Sequence, residues 1–442
     1  MGKASGQARE GMENGRMTDF TRRALLASAP FALSPALTGC AFSTVSGPSR
    51  ATADVALRTL IGEGERRALP AAGFVVMKNG EVLASAAAGD AVGLDPTEGV
   101  SRRPFTVETP FRAASISKMV VALTALEVAR DGGLDLDGDM QAVFPALARN
   151  PAFGETPITM RQLLAHTSTI TDPEAYWVAA PGDVRGLING DLYRAEGLDG
   201  APLAYGPGDW FEYANINYGL AATALELVTG QRFDLLAAER VLLRLGMDAG
   251  FNWSGVSSAK RRAGATLYRK FAEGWRVQTD GPDVLAGTGP FFLSEGDYDL
   301  SNYEPGTNGT LFGPQGGLRA NLVDLARLAG AVGRTEAMTE EVWRLNADGS
   351  NGDHLERIFQ SFGTGVFLHE PSVSAWPGQT MIGHHGEAYG LYAGAWHLPQ
   401  KGIELAYAVT GTPDGIQPGG GIHPAFNVWE QALVNIARAT VS

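Results

Sequence analysis

Short apolar runs near both ends of the chain are typical of β-strands. Residues 73–77 and 81–84 flank the pair Asn79-Gly80, which favours the tight turn of a two-residue β-hairpin. Near the carboxyl end, residues 391–398 and 403–411 alternate small and large apolar side chains on either side of a turn that contains Pro and Gly. We therefore predict two hairpins, one from each end of the chain.

Between these hairpins, apolar positions recur at helical spacing. The predicted helices cover residues 55–61, 118–130, 217–229, 323–332 and 425–439. Asp54 stands where an N-cap of the first helix is expected, and glycines follow the second and third helices as stop signals.

The order of these elements predicts an α+β fold. We expect an antiparallel sheet built from both chain ends and flanked by helices, with an inserted helical lobe. The prediction is a single two-lobed domain over residues 53–442. Its sheet lobe would cover about 53–115 and 315–442, and its helical lobe about 116–314.

Two stretches, residues 169–208 and 250–313, show no clear period. We expect the side chains that shape a substrate pocket to lie there. The aromatic candidates for lining such a pocket, with burial in the helical lobe as the alternative, are Tyr176, Trp177, Phe291, Phe292 and Tyr303.

The first 39 residues have the order of a signal peptide. Arg22-Arg23 precedes an apolar stretch over residues 24–39. That stretch is shorter than the about 20 residues that a membrane-spanning helix needs. We therefore expect residues 1–39 to direct export and then to be removed, with Met17 as an alternative start.

Cys40 directly follows the apolar stretch, in Leu37-Thr38-Gly39-Cys40. This sequence resembles the bacterial lipobox, in which the signal is cut before the cysteine and the cysteine takes a lipid anchor. The alternative is an ordinary cleaved signal beside an unrelated cysteine. Residues 21–26 also resemble a twin-arginine export signal, and residues 40–52 are expected to form a flexible, lipidated tether in the periplasm or cell envelope.

Composition narrows the class of protein. Hydrophobic residues make up 44% and charged residues 19% of the 442 positions, which is a globular composition rather than a disordered one. Acidic residues outnumber basic ones by 48 to 35, so a nucleic-acid partner is not expected. A lone cysteine excludes an internal disulfide framework and a multi-cysteine metal site.

The first motif with chemical potential is Ser115-Ile116-Ser117-Lys118, at the start of a predicted helix. Residues three apart lie on one face of a helix, so the Lys118 amine would reach the Ser115 hydroxyl. A desolvated amine has a depressed pKa and can accept the serine proton. An isolated Ser-x-x-Lys is more often a solvated helix start, so this motif needs partners.

Two further motifs are candidates for those partners. Tyr213-Ala214-Asn215 precedes a helix, where Asn215 could be an N-cap and Tyr213 a core aromatic. Gly383-His384-His385-Gly386 precedes the second hairpin. A metal site is not expected there, because adjacent histidines on a strand point apart. Gly383 and Gly386 would permit close backbone approach to a ligand.

Together and in this order, the three motifs resemble those of the serine beta-lactamase and penicillin-binding-protein-like hydrolases. The resemblance is to the branch that includes class C beta-lactamases, D,D-carboxypeptidases, D-aminopeptidases and related esterases, and it covers roughly residues 71–434. The segments 163–168, 213–230 and 316–328 support it. It implies a covalent acyl-enzyme mechanism with no metal or organic cofactor.

The resemblance also implies roles for individual residues. Ser115 would be the nucleophile, Lys118 its general base or the group that sustains the base, and Tyr213 the proton relay to and from the leaving group. Either Lys118 or Tyr213 could be the base in this family. Asn215 would contact the substrate or hold Lys118. The backbone N–H of Glu387, which follows Gly386, would join that of Ser115 in an oxyanion hole. The segment with His166 is expected to be structural.

His384 stands where beta-lactamases and carboxypeptidases of this family usually have a lysine. A mostly neutral histidine lacks the fixed charge that meets a substrate carboxylate, although Arg112 and Arg319 could supply one. We therefore expect a carboxylic ester hydrolase acting on a small ester. The alternatives are a D-amino-acid peptidase or carboxypeptidase/beta-lactamase acting on a peptide or β-lactam, and a catalytically silent protein that binds cell-wall fragments.

Overall fold

The computed structural model describes residues 50–62, 67–197, 200–251, 253, 255–279, 300–353, 358–412 and 425–441. The signal peptide, Cys40, Phe291 and Phe292 lie outside the described residues. Arg50–Thr52, which we expected in the flexible tether, belong to the first helix, so this helix begins earlier than predicted.

In the described part of the chain, fourteen strands form. They are β1 (Ala71–Lys78), β2 (Glu81–Val92), β3 (Arg103–Pro104), β4 (Phe111–Arg112), β5 (Gly250–Phe251), β6 (Leu267–Phe271), β7 (Gly274–Thr279), β8 (Leu318–Ala320), β9 (Trp343–Arg344), β10 (Ser361–Phe362), β11 (Phe367–His369), β12 (Met381–Ala388), β13 (Leu391–Leu398) and β14 (Ile403–Thr410).

The same residues form nine α-helices. They are α1 (Arg50–Ile61), α2 (Ser117–Arg130), α3 (Met160–Leu164), α4 (Ile216–Thr229), α5 (Phe233–Ala237), α6 (Ser258–Arg262), α7 (Leu322–Gly333), α8 (Glu336–Thr339) and α9 (Val428–Thr440).

The main sheet is antiparallel and has nine strands, in the order β3-β2-β1-β14-β13-β12-β11-β10-β9. Both predicted hairpins form, and they meet at its centre, where β1 pairs with β14 in the register Gly73↔Ala408. The turn between β1 and β2 has positive φ at Asn79 (53°) and Gly80 (83°), as a tight Asn-Gly hairpin turn requires. The predicted α+β fold with a sheet from both chain ends is confirmed.

Side chains of β1 alternate between the two faces of this sheet, and each face has its own apolar core. Phe74 and Val76 pack in a cluster that includes Leu57 of α1 and Leu433 of α9. On the opposite face, Val75 lies in the cluster that includes α7 and the helices between β4 and β8. The period of two along a strand therefore assigns one helical layer to each face.

Two helix boundaries differ from the prediction. Asp54 lies inside α1 rather than at its cap, because the helix begins at Arg50. The closing helix begins at Val428, three residues later than expected, because Asn427 is its N-cap and accepts hydrogen bonds from the N–H groups of Trp429 and Glu430. Among the helices of the described residues, none has both the length and the apolar character to cross a membrane.

Candidate active site

The first motif begins on a strained turn between β4 and α2. Ala114 has φ of 48°, and Ser115 follows it in a short 3-10 turn, Ala114–Ile116. The buried Ser117 hydroxyl fastens this turn: it donates to the Ala114 carbonyl at 2.6 Å and accepts the N–H of Leu318 in β8 at 3.0 Å. The turn thus holds Ser115 partly exposed at the edge of the core.

Lys118 is fully buried one turn beyond Ser115. Its Nζ lies 3.0 Å from the Ser115 Oγ, 2.9 Å from the Asn215 Oδ1 and 2.9 Å from the Gln315 carbonyl oxygen. Burial lowers the pKa of the Lys118 amine to about 7, against the opposing influence of the Asp172 charge. An amine in this state is available both neutral and protonated near neutral pH.

Tyr213 faces the same hydroxyl. Its side chain hydrogen-bonds Ser115, and the Lys118 Nζ lies 4.9 Å from the centre of its ring. Burial raises the pKa of the Tyr213 phenol well above its ordinary value, so the hydroxyl keeps its proton at neutral pH. Phe359 stacks on the ring at 5.3 Å.

His166, which we expected to be structural, lies directly against the catalytic candidates. Its ring stacks on that of Tyr213 with centroids 4.2 Å apart, and its Nδ1 accepts the N–H of Ala214 at 3.1 Å. Burial holds the pKa of His166 well below its usual value. The neutral His166 ring therefore packs against one face of the Tyr213 ring.

Asn215 precedes α4, but its side chain makes no cap hydrogen bond. Its Oδ1 faces Lys118, and its Nδ2 donates to the Asp172 Oδ2 at 3.0 Å. The other carboxylate oxygen of Asp172 accepts the N–H of Ile216 at 2.8 Å, so a residue from a distant loop caps this helix. No sequence pattern had marked Asp172.

The third motif lies on β12, next to the Ser115 turn. A Cβ added to Gly386 would lie 2.4 Å from the Ala113 carbonyl oxygen, and one added to Gly383 would lie 1.9 Å from the Ala395 carbonyl oxygen. The close approach that we expected to a ligand is therefore an approach to the protein's own backbone. At Gly386 it joins β12 to the Ser115 turn.

His384 is buried beside the other motifs. Its ring lies 6.2 Å from that of Tyr213 and 4.9 Å from that of Phe367, and its Nδ1 donates to the His385 carbonyl at 2.6 Å. Burial holds the pKa of His384 well below its usual value, so the ring is neutral. This strand position therefore carries no positive charge at neutral pH.

His385 points the other way. Its Nε2 lies 3.3 Å from the Nε2 of His369, and its Nδ1 lies 3.3 Å from the Glu430 Oε1 on α9.

Glu387 is exposed, and its charge contributes to the raised pKa of Tyr213. The oxyanion role of the Glu387 and Ser115 N–H groups stays a prediction.

The two arginines considered as alternative sources of charge are engaged with the protein. Arg112 donates to the Gly316 carbonyl at 2.9 Å and lies over the Tyr389 ring at 4.7 Å. Arg319 donates to the Gly317 carbonyl at 2.6 Å. Both side chains are almost completely buried.

Two of the described aromatic candidates, Tyr176 and Tyr303, are buried in different surroundings. The pKa of Tyr176 is raised well above its usual value, first by burial and then by neighbours that include Tyr389 and Asp172, which places Tyr176 near the site. Tyr303 lies in the core, where its hydroxyl donates to Glu226 at 2.6 Å.

Comparison with known proteins gives a family for this chain. The family model described as Beta-lactamase matches residues 57–418. Esterase EstB of Burkholderia gladioli is 32% identical over 200 residues, which are 42% of this chain and 48% of EstB. Protein flp of Staphylococcus aureus is 30% identical over 167 residues, 37% of this chain and 31% of flp. The matched segment thus spans half or less of these curated relatives.

Solved structures share the fold at lower identity. The D-amino acid amidase from Ochrobactrum anthropi SV3 has a TM-score of 0.59 and 18% identity, over 88% of this chain and 100% of the amidase. The octameric penicillin-binding protein homologue from Pyrococcus abyssi has a TM-score of 0.58 and 20% identity, over 84% of this chain and 74% of the homologue.

The fold and the Ser-x-x-Lys site define the class of beta-lactamase-like serine hydrolases. The chain belongs to the beta-lactamase family, whose model covers most of its length. The predicted family and the predicted fold are confirmed, and the serine-hydrolase class predicted from the three motifs is supported.

Proposed function

We propose that the protein is an exported serine hydrolase that cleaves a carboxylic ester through an acyl-enzyme on Ser115. The observation that carries this proposal is the set of three contacts around the Lys118 Nζ, to Ser115, Asn215 and Gln315.

These contacts satisfy the Lys118 amine in both protonation states, since the ammonium can donate to all three oxygens. A neutral Lys118 has two N–H donors and one lone pair. The amide oxygen of Asn215 and the carbonyl of Gln315 only accept, so they take the two N–H groups. The lone pair is then left for the Ser115 O–H at 3.0 Å. Since the Tyr213 hydroxyl keeps its proton, Lys118 is the general base for the attack.

The reaction then follows from the positions of these groups. The Ser115 Oγ attacks the carbonyl carbon while its proton passes to Lys118, and the C–O bond to the leaving group breaks as that oxygen takes a proton through the Tyr213 hydroxyl. In the second half, water attacks the acyl carbon while its proton passes to the same groups. The bond from that carbon to the Ser115 Oγ then breaks, the carboxylic acid leaves, and the Oγ takes the proton back.

The charges around Ser115 favour a substrate without a negative charge. His384 is neutral, and the carboxylates of Asp172 and Glu387 both act on Tyr213. Arg112 and Arg319 are engaged by backbone carbonyls. A β-lactam or a peptide carboxylate would therefore find less attraction here than a neutral ester, and the esterase name of the relative EstB agrees with this preference.

A second candidate is an amidase or peptidase acting on D-amino-acid substrates, and it is supported by the fold shared with a D-amino acid amidase. The test offers purified protein a short acyl nitrophenyl ester, D-alanine anilide and a chromogenic cephalosporin. We expect the highest kcat/KM for the ester and none with Ser115→Ala. Faster turnover of the anilide would support the second candidate, and faster turnover of the cephalosporin would contradict both.

A fluorophosphonate probe separates an enzyme from a silent binding protein. It reacts with an activated serine, so we expect one label on Ser115 and none on Ser115→Ala. Failure to label the folded wild type would favour a binding protein.

Export and anchoring are part of the proposal and rest on the sequence before residue 50. We propose that Cys40 carries a lipid, because it ends the lipobox-like Leu37-Thr38-Gly39-Cys40. Residues 1–39 hold five basic and three acidic residues, so their removal takes the net charge from −13 to −15, which gives no electrostatic attraction to an anionic membrane. Cys40→Ser should move the protein from the membrane pellet to the supernatant of a fractionated bacterial host. An unchanged pellet fraction would contradict the anchor.

A further inference from the structure

Asp172 lies in the loop after α3, outside all three motifs, yet both of its carboxylate oxygens face the beginning of α4. Oδ1 accepts the Ile216 N–H at 2.8 Å, and Oδ2 accepts the Asn215 Nδ2 at 3.0 Å. In the described part of the chain, no lysine or arginine forms an ion pair with it. Burial raises the pKa of the Asp172 carboxyl, and the hydrogen bonds from Asn215 and Ile216 act against burial because they favour the ionised carboxylate.

These contacts decide which way the Asn215 amide points. An amide has a donor end and an acceptor end, and the two are assigned by their partners. Because a carboxylate only accepts, the NH₂ end must face Asp172. The oxygen then faces the Lys118 Nζ at 2.9 Å.

The orientation matters for the base. When the Asn215 amide oxygen faces it, neutral Lys118 donates one N–H to Asn215, and its lone pair can accept the Ser115 O–H. If the amide were reversed, its NH₂ would compete with the Ser115 hydroxyl for that lone pair. The direction of proton transfer thus depends on a residue that touches neither Ser115 nor Lys118.

Asp172 also sets the electrostatic field at Lys118. Besides its three hydrogen-bond partners, the described groups that face the amine are Tyr213 and Tyr218, whose rings lie at 4.9 and 5.3 Å, and the rings of His166 and His384, which burial keeps neutral. The Asp172 carboxylate acts against desolvation and raises the pKa of Lys118.

We propose that Asp172 is a positioning residue for catalysis, which holds the Asn215 amide oxygen towards Lys118 and thereby directs the Lys118 lone pair at Ser115. This inference rests on the proposed function, because it assigns a second residue to the same proton transfer.

The test is the pH dependence of kcat/KM for a nitrophenyl ester in Asp172→Asn. This variant keeps an acceptor for the Ile216 N–H but places an NH₂ group against that of Asn215. We expect kcat/KM on the high-pH plateau to fall roughly 10²-fold, as for a misplaced catalytic group. The acidic limb, in which kcat/KM falls as the pH decreases, should move to lower pH, because removing the Asp172 charge lowers the pKa of Lys118.

Two further variants distinguish loss of the Asp172 charge from general destabilisation of the fold. Asp172→Ser retains a capping oxygen for α4 and removes the charge, so its acidic limb should move in the same direction. Asn321→Ala removes a comparable N-cap, the side-chain acceptor for the Asp324 N–H at the start of α7, and should leave the limb in place.

A double-mutant cycle tests the route through Asn215. If Asp172 acts by orienting that amide, Asp172→Asn should lower the high-pH plateau of kcat/KM by less than about threefold when Asn215 is already replaced by Ala. Full additivity, or an Asp172→Asn enzyme with wild-type kcat/KM and an unmoved limb, would overturn the inference. If Ser115 of the wild type does not label with a fluorophosphonate, the proposed function itself fails, and the positioning role fails with it.

Discussion

Lys118 combines complete burial with a direct contact to the Ser115 hydroxyl, so its protonation state should control the rate. Only the neutral amine can accept the serine proton, and its pKa is about 7. We expect kcat/KM to rise about tenfold per pH unit below pH 7 and to level off above it. Measurement with a nitrophenyl ester from pH 5 to 9, corrected with a Ser115→Ala blank, checks this. A rate that falls as the pH rises through 7 would contradict it.

At Tyr213, the ring that packs in the site and the hydroxyl that contacts Ser115 can be tested separately. Tyr213→Phe keeps the ring that stacks on His166 and Phe359 but removes the hydroxyl that hydrogen-bonds Ser115. We expect kcat to fall roughly 10²-fold with an unchanged melting temperature. Tyr205→Phe, which removes an exposed hydroxyl near Ser350, is the matched control and should keep full activity.

The site residues differ in how far the sequence could reveal them. Ser115, Lys118, Tyr213 and Asn215 stand in short motifs, so their grouping can be predicted although up to 97 positions separate those in contact. Asp172 acts across a loop and belongs to no motif. The Gln315 contact uses a backbone carbonyl, which every residue possesses. Their roles depend on three-dimensional position alone.

Strand β12 shows how one element places another. Gly386→Ala would put a methyl group against the Ala113 carbonyl and push the strand away from the Ser115 turn. We expect a loss of about 10²-fold in kcat together with a destabilisation of about 1–3 kcal/mol. The matched control is Gly154→Ala, at a site with φ of −52° and open space. Equal activity in the two variants, measured beside their melting curves, would argue against the contact.

The type and approximate position of elements with a strong local pattern could be predicted from the sequence. Their exact first and last residues could not. Helix α4 begins one residue before the expected start. Gly230, the expected stop signal, ends it in a left-handed conformation with φ of 67°. The start of α9 depends on the Asn427 side chain, which the apolar period does not register. Periodicity reports which face is buried, and capping depends on particular hydrogen bonds.

The two terminal helices hold one face of the main sheet. Leu433 of α9 is fully buried in the cluster with Leu57 and Phe74. Leu433→Ala should lower the free energy of unfolding by about 2–5 kcal/mol, measured by denaturant titration, without changing kcat of the folded enzyme. Leu243→Ala, with 70% of its side chain exposed, should change stability by no more than about 0.5 kcal/mol. Similar losses in both would show that the terminal helix contributes little.

The pairing of β1 with β14 also determines when the protein becomes an enzyme. Ala71 and Thr410 meet although 339 positions separate them, so the centre of the sheet cannot close until β14 has been synthesised. Strand β12, which packs against the Ser115 turn, is made only shortly before β14. A nascent chain therefore contains Ser115 and Lys118 long before it contains the strand that packs against their turn, so we expect the complete site to form only late in synthesis.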